Sequence, residues 1–154
     1  MEKKDMMEIK EKTDAVIIKE FNPDGAVVEY NSSGEVKGNR FHANHMETVD
    51  VTMKMDGSNE WESRAIEMTK EGDVVMITGK GTGRQNTFTG EYMYMTNSPR
   101  LSWLNNTKAR VEGVSDMKNY TATLKVWLEK NPEVTVAPAP EMVSGPEVVM
   151  TPIM

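Results

Sequence analysis

Apolar and polar residues alternate most clearly near the end of the chain, over residues 120–128. Because side chains of a strand point alternately to its two faces, this pattern predicts a β-strand with one buried face. The opposite face is polar except for Trp127, which we expect to be covered by a loop, by the C-terminal segment or by another subunit. The predicted buried face carries Tyr120, Ala122, Leu124, Val126 and Leu128.

A second alternating run covers residues 41–55, and we expect its odd-numbered face to point into the interior. At about 3.3 Å per residue, this run is too long to be one flat strand in a small domain. It should therefore bend, bulge or divide near Asn44. The odd-numbered positions are Phe41, Ala43, His45, Glu47, Val49, Val51, Met53 and Met55.

Turn residues rich in Gly and Asn separate runs of β-branched and aromatic residues along the whole chain. No amphipathic helical pattern lies between these runs, which favours antiparallel pairing over α/β crossovers. We therefore predict an all-β fold, a single antiparallel β-barrel of about eight strands. The predicted turns are 22–25, 31–34, 56–59, 71–73 and 83–86; the predicted strands are 15–21, 26–30, 35–52 with its continuation, 61–68, 73–78, 87–96, 108–114 and 120–128.

The barrel domain is predicted to span residues 13–130, with one short helix near 98–106. Ser98 can cap that helix and Pro99 suits its first position. Residues 1–12 are predicted to be flexible or helical. Residues 131–154 contain five of the seven prolines and neither Lys nor Arg, so we predict an extended tail that is either solvated or lies along its own barrel or a partner's.

Composition narrows the function classes. The formal net charge is −6, which argues against a nucleic-acid-binding protein, since such proteins neutralise phosphates with clustered Lys and Arg side chains. No apolar run reaches the ~18 residues of a membrane helix, and the first residues lack the apolar core of a secretory signal, so we expect a cytoplasmic protein that does not bind membranes. The absence of Cys excludes disulfides, thiol nucleophiles and thiolate metal sites.

The glycine-rich segment 79–84 looks at first like a phosphate-binding loop. A nucleotide-binding loop joins a strand to a helix, however, whereas this segment lies between two predicted strands. Gly79, Gly81 and Gly83 instead remove side chains from one face, so that the strand can bend or the ring of Tyr92 or Tyr94 can lie over the backbone. We therefore expect no nucleotide cofactor.

The two histidines, with Glu47 and Asp50, form the densest group of possible ligands or acid–base residues. Strand alternation separates them, because His45 and Glu47 share one face while His42 and Asp50 lie on the other. We therefore predict no metal site. If the odd face lines the barrel, burial would raise the pKa of Glu47 and make it a proton donor or base supported by His45. The alternative is a hydrogen-bonded polar pair at the barrel mouth.

Fourteen methionines are far more than a chain of this length normally carries. Met is flexible and polarizable, so we expect it to line a plastic apolar interior or interface. Apolar positions on both faces of the strand 87–96 also favour a homo-oligomer. The predicted ligand-contacting residues are Val49, Val51, Met53, Met55, Tyr92 and Tyr94.

The spacing of the predicted strands and the placement of glycines are clearest in four segments, 34–38, 79–83, 89–94 and 123–127. In these features the chain resembles small antiparallel barrels of the allene oxide cyclase and dirigent type, or calycin-like barrels, over about residues 13–130. The resemblance implies a barrel that holds an apolar small molecule, and in some such families guides cyclisation or coupling by cavity shape. It assigns no site residues.

Three hypotheses for function follow. The first is binding of a hydrophobic small molecule in a Met-rich barrel interior, oriented by His45 and Glu47. The second is a cyclase or isomerase without a nucleotide cofactor, in which Glu47 exchanges a proton and His45 supports it. The third is a structural or assembly module that acts through its exterior and tail.

Overall fold

Eight antiparallel strands close into a barrel in which each strand pairs with its neighbours in sequence and β1 pairs with β8. This arrangement comes from a computed structural model that describes residues 6–129. The predicted fold class, an all-β antiparallel barrel with one short helix, is confirmed. The strands are β1 (Met6–Asn22), β2 (Gly25–Gly38), β3 (His42–Lys54), β4 (Ser58–Met68), β5 (Val74–Arg84), β6 (Thr87–Met95), β7 (Lys108–Asp116) and β8 (Thr121–Leu128).

The hydrophobic core fills one end of the barrel. A 3-10 helix, Pro99–Leu104, lies between β6 and β7 and packs Leu101 and Leu104 against that core. Leu124 and Val126 of β8 are fully buried, as the alternation over 120–128 predicts. Tyr120 precedes β8 and has 53% of its surface exposed, so its predicted burial is wrong. The odd face of β3 likewise points inward over residues 43–47. One end of the barrel is therefore closed by side chains.

Two sequence-based boundaries are wrong. Residues 6–12 belong to β1 and pair with both β2 and β8, where a flexible or helical segment was expected. Their mixed charges resemble a solvated segment, but every second side chain from Met7 faces the interior. The predicted turn at 31–34 also lies inside a strand, because Ser32 and Gly34 pair with Glu47 and His45 of β3.

β3 runs from His42 to Lys54 without a break or a register shift, so the expected bulge or division near Asn44 is wrong. The break between β2 and β3 lies at residues 39–41, where the Gly38 N–H donates to the Phe41 carbonyl over 2.8 Å. The short helix is present, but Ser98 makes no capping hydrogen bond with its side chain. Its hydroxyl instead donates to Asp73 Oδ1 over 2.6 Å and ties the helix to the loop before β5.

At the other, open end of the barrel, β1 extends beyond its partner β8. Pairing between the two strands ends at Lys12, after which the Thr13 N–H donates to the Tyr120 carbonyl over 2.8 Å. Residues 15–22 pair with β2 alone, and the register shifts between Thr13 and Ala15 and again between Ile18 and Glu20. This part of the β1–β2 hairpin leaves apolar side chains exposed at Val16, Ile17, Ile18 and Phe21.

Most methionines of the described residues lie outside the barrel, so the expected Met-rich interior is wrong. Met46, Ile66, Met76 and Met95 are directly opposite one another across β3, β4, β5 and β6 and face outward. We call the surrounding patch of seven exposed apolar residues the methionine belt. Its members are Met46, Ile66, Met68, Val74, Met76, Met93 and Met95.

Among residues 6–129, no helix has the length and apolar character needed to cross a membrane. The predicted proline-rich tail, 131–154, lies outside the described residues.

Candidate functional site

A layer of polar side chains crosses the barrel interior between the filled end and the open end. Four strands contribute to it, and in each the polar residue occupies an inward position that alternates with outward ones. Such side chains are expensive to bury unless they pair with one another. The layer consists of Glu11, His45, Glu47, Glu67, Tyr92 and Tyr94.

His45 is the centre of this layer and is fully buried. Its Nδ1 lies 2.7 Å from Glu67 Oε2, and its Nε2 lies 3.1 Å from Glu47 Oε1. Glu11 Oε1 is also close, 3.3 Å from Nε2. One ring therefore contacts three carboxyl groups from three strands, and each ring nitrogen is engaged.

Tyr92 fixes the remaining oxygen of Glu47, since its hydroxyl donates to Oε2 over 2.9 Å. The ring of Tyr92 lies against Gly79, where an added Cβ would come within 2.6 Å of Cδ1. The ring of Trp61 likewise lies against Gly81, where an added Cβ would come within 2.5 Å of Cζ2. The expectation that these glycines let an aromatic ring lie over the backbone is thus confirmed for Tyr92, and Trp61 is a ring that the sequence did not identify.

The pKa values of the ionisable groups in the layer are shifted. The pKa of Glu11 is raised to about 7, first by burial and second by the nearby Glu47 carboxylate, while His45 opposes the shift. Burial also raises the pKa of Glu67. Burial would lower the pKa of His45, but hydrogen bonds to Glu11, Glu47 and Glu67 raise it well above its ordinary value. A protonated His45 therefore faces three carboxyl groups.

Glu47 behaves differently from the prediction. Burial alone would raise its pKa, but hydrogen bonds with His45, Glu11 and Tyr92 and the charge of His45 lower it. The expectation of a raised pKa at Glu47 is therefore wrong, and the raised carboxyl that faces the open end is Glu11. The two carboxyl groups have pKa values that are pushed apart, an arrangement found in pairs that act as acid and base.

A cavity of about 530 Å³ lies between this layer and the open end of the barrel. Its floor includes Glu11, Glu47 and Tyr92, and its rim is formed by the β5–β6 and β7–β8 turns. The walls carry Val49, Val51 and Met53 from β3, as expected, together with residues that were not predicted to contact a ligand. These are Thr13, Tyr30, Ser32, Asn59, Trp61, Phe88, Tyr120, Ala122 and Leu124.

Not every predicted site residue reaches the cavity. Met55 lies beyond the end of β3 with 80% of its surface exposed, so its expected role as a wall residue is wrong. Tyr94 is fully buried below the floor and does not line the cavity. His42 and Asp50 lie outside the barrel, as strand alternation predicted, near Glu35 and Lys19 respectively.

Glu11, His45 and Glu47 each offer one atom to a common point, and these atoms lie within 4.8 Å of one another. A carboxylate, an imidazole and a second carboxylate are donors that a divalent cation accepts. The same three groups also pair directly when His45 is protonated. The donor set therefore fits either a proton or a metal ion.

Sequence reasoning missed Glu11 and Glu67. Both obey period-two alternation: Glu11 follows the buried Met7 and Ile9, and Glu67 follows the buried Trp61 and Ala65. Extending each apolar face by one step would have placed both carboxyl groups inside. Their meeting at His45 depends on strand register, which the sequence alone does not provide.

No protein-family model matches the sequence, and no curated protein is detectably similar to it. Solved structures do resemble the barrel. A protein of unknown function from Clostridium acetobutylicum ATCC 824 has a TM-score of 0.72 at 17% identity, covering 84% of this chain and 100% of that one. A β-barrel-like protein from Acinetobacter baumannii AYE has a TM-score of 0.67 at 15% identity, over 79% and 91%. An enzyme from Penicillium herquei has a TM-score of 0.61 at 15% identity, over 80% and 90%. At these identities the likeness is one of fold.

Proposed function

We propose that this protein binds a small, largely apolar molecule in the barrel cavity, with the polar layer orienting it. The observation that carries the proposal is the shape of the interior: one end is packed, and the other holds about 530 Å³ that ends on Glu11, Glu47 and Tyr92. A largely apolar cavity with a few convergent polar groups is the usual form of a small-molecule site.

The cost of the polar layer supports the same proposal. Removing a carboxylate from water costs several kcal/mol even after local relaxation, and pairing rarely returns more than that cost. A barrel of this size could fill the same positions with aliphatic side chains, as it does at the closed end. Buried groups with strongly perturbed pKa values beside a cavity are instead typical of functional sites.

Architecture supports the proposal more weakly. We propose that this barrel is similar in architecture to barrels of the allene oxide cyclase, dirigent or calycin-like type, which hold apolar molecules. One structure with a similar fold is described as an enzyme, from Penicillium herquei. Fold alone does not carry function, so the cavity remains the main support.

Fluorescence titration with Nile red, an uncharged apolar dye, tests the proposal. We expect saturable binding that is lost in Ala122→Trp, because Ala122 lines the cavity and an indole there would fill it. Thr123→Trp is the matched control, since Thr123 is the next residue of β8 and is exposed on the outer face. It should leave binding unchanged.

Equal binding by the wild type and by both variants would place the dye on the exterior and would contradict the proposal. Absence of saturable binding in the wild type would contradict it as well. Circular dichroism of Ala122→Trp should match the wild type, which separates a filled cavity from an unfolded barrel. Cavity-filling at Val49 provides a second variant if Ala122→Trp does not fold.

A proton-transfer activity, as in a cyclase or isomerase, is the second candidate function. The pKa values of Glu11 and Glu47 are shifted in opposite directions, and their oxygens lie within 4.8 Å of each other at the cavity floor. In such a reaction Glu47 would take a proton from a carbon of the ligand, and protonated Glu11 would deliver one to another carbon or to an oxygen. No nucleotide cofactor is needed for that step.

Deuterium incorporation from D₂O into cyclohexanone, followed by NMR, tests this second candidate with a simple carbon acid. We expect exchange above the buffer rate in the wild type and loss of it in Glu47→Gln, with Nile red binding retained. Exchange at the buffer rate in the wild type, with normal dye binding, would leave binding alone as the function.

A further inference from the structure

The cavity carries only one sign of charge. Among the residues of 6–129 that line it, the side chains able to ionise near neutral pH are Glu11, Glu47 and Asp116, and none is Lys, Arg or His. His45 lies behind Glu47 and is fully buried. A ligand that enters therefore contacts carboxyl groups at the floor and at the rim, whereas His45, the cation that pairs with the floor carboxyl groups, does not line the cavity.

Glu11 is the carboxyl group of the floor whose contacts are least complete. Among the described residues, its Oε1 accepts no hydrogen bond of good geometry, although His45 Nε2 lies 3.3 Å away. The N–H at Nε2 lies nearer to Glu47 Oε1, at 3.1 Å. An incompletely paired buried carboxylate is costly, so a cationic group at the floor of the cavity would stabilise Glu11.

The walls of the cavity carry aromatic rings, which are also suited to a cationic ligand. Trp61, Phe88 and Tyr92 form a row of edge-to-face contacts with ring centroids 6.0 and 6.5 Å apart, and all three line the cavity. Aromatic rings attract cations through the negative potential of their faces. Tyr30 and Tyr120 add two further rings to the walls.

From these three observations we infer that the natural ligand is an organic cation, an ammonium group on a small apolar body. The ammonium group lies against the Glu11 carboxyl group at the cavity floor, while the apolar body lies among Trp61, Phe88 and Val51. An anionic ligand is disfavoured because it would meet carboxyl groups alone. This inference rests on the proposed function and adds the chemical class of the ligand.

Matched probes test the inference, with binding followed by isothermal titration calorimetry at pH 7.5 in buffer that contains EDTA. The probes are 2-phenylethylamine, 2-phenylethanol and 3-phenylpropionate, which share an aromatic body and differ in the charge of the end group. We expect the amine to bind on the order of tenfold more tightly than the alcohol, because a charge-assisted hydrogen bond is stronger than a neutral one. The carboxylate should bind most weakly.

Glu11→Gln identifies the group responsible. We expect it to reduce the affinity for the amine to that for the alcohol, while the affinity for the alcohol changes less than about twofold. Glu62→Gln is the control, because Glu62 is exposed on the outer face of β4. It should preserve the preference for the amine.

The outcomes separate this inference from the proposed function. Equal affinity for the amine and the alcohol, or tighter binding of the carboxylate, would overturn the inference that the ligand is a cation. It would leave the proposal of a small-molecule site intact. A preference for the amine that survives in Glu11→Gln would overturn the role of Glu11. If no probe binds while Nile red binds at the cavity, the ligand class is wrong; if Nile red also fails, the proposed function is wrong.

Discussion

Over the middle of its strands, this barrel has polar side chains inside and apolar side chains outside, the reverse of the usual arrangement. The interior at that level holds Glu11, His45, Glu47 and Glu67, whereas the methionine belt covers the exterior of β3, β4, β5 and β6. In β3 the contrast occurs between neighbouring residues, since His45 is fully buried and Met46 is 48% exposed. Sheets with one solvated face normally show the opposite arrangement.

The two regions affect stability in different ways. The polar layer carries a desolvation cost that the fold must offset, and its groups are so close that changing one affects all. The side chains of the belt are largely exposed, so each contributes little to folding. Substitutions should therefore have large, coupled effects in the layer and small effects in the belt.

The largest effect is expected from His45→Leu. This change leaves three buried carboxyl groups without their cation, and we expect a loss of about 3–5 kcal/mol in the free energy of unfolding. Denaturant-induced unfolding measures it. His42→Leu is the control, because His42 is exposed and only 3.8 Å from an equally exposed Glu35; a similar loss there would contradict the contrast between inside and outside.

The next effect is a dependence of stability on pH. The pKa of Glu11 is about 7 in the folded protein against 4.5 when unfolded, so the folded state holds that proton more tightly. Its stabilising contribution is complete below pH 4.5 and is lost as the pH rises through 7, by up to about 3 kcal/mol. His45 acts in the same direction, because its raised pKa gives stability below pH 6.5 that is lost at higher pH.

Unfolding curves between pH 4.5 and 8 check this sign. The wild type should become less stable as the pH rises, and Glu11→Gln should flatten the slope between pH 4.5 and 7. A wild type that gains stability over that range would contradict the assignment of Glu11 as the raised carboxyl.

An intermediate loss of unfolding free energy is expected at Tyr92, and Tyr94 provides a matched comparison. Tyr92→Phe removes a hydrogen bond to an ionised carboxylate and should cost about 1.5–3 kcal/mol. Tyr94→Phe removes a buried hydroxyl that has no hydrogen-bond partner among residues 6–129, so its cost should be close to zero. Equal losses in the two variants would show that the hydroxyl of Tyr92 does not hold Glu47 in place.

The smallest effect on folding is expected in the methionine belt. Met76→Lys should change the free energy of unfolding by less than about 0.5 kcal/mol, because Met76 is 52% exposed. We still predict that the chain forms a homo-oligomer, and a charge in the belt should then shift sedimentation toward the monomer. Thr123→Lys, on the exposed face of β8, should not. Identical sedimentation of wild type and both variants would exclude the belt as that interface.

Much of the barrel could be predicted because its signal is local. Alternation over 120–128 and 41–55 identifies the inward faces, and turn residues separate the strands. Strand ends were less predictable: residues 31–34 are typical of a turn, yet Gly34 lies within β2, opposite His45. The charges of residues 6–12 likewise concealed a strand whose alternate positions are inward.

The site was only half predictable, because it is assembled from strands that are distant in sequence. His45 and Glu47 share one strand and were identified, whereas Glu67 is 22 residues from His45 and reaches it only through the β3–β4 register. The methionines misled for a related reason. Hydrophobicity predicts burial, but Met46 and Met76 occupy outward positions of their strands, and alternation takes precedence over composition.

The most direct test of a polar layer maintained for a ligand is to replace its carboxyl groups, its histidine and Tyr92 with apolar side chains. The variant carries Glu11→Leu, His45→Leu, Glu47→Leu, Glu67→Leu and Tyr92→Phe, and its free energy of unfolding is measured beside that of the wild type. Since an apolar replacement of a buried ionic cluster is often neutral or stabilising, we predict a barrel at least as stable as the wild type that no longer prefers 2-phenylethylamine to 2-phenylethanol. A folded variant that is several kcal/mol less stable, or one that keeps the preference for the amine, would contradict the account.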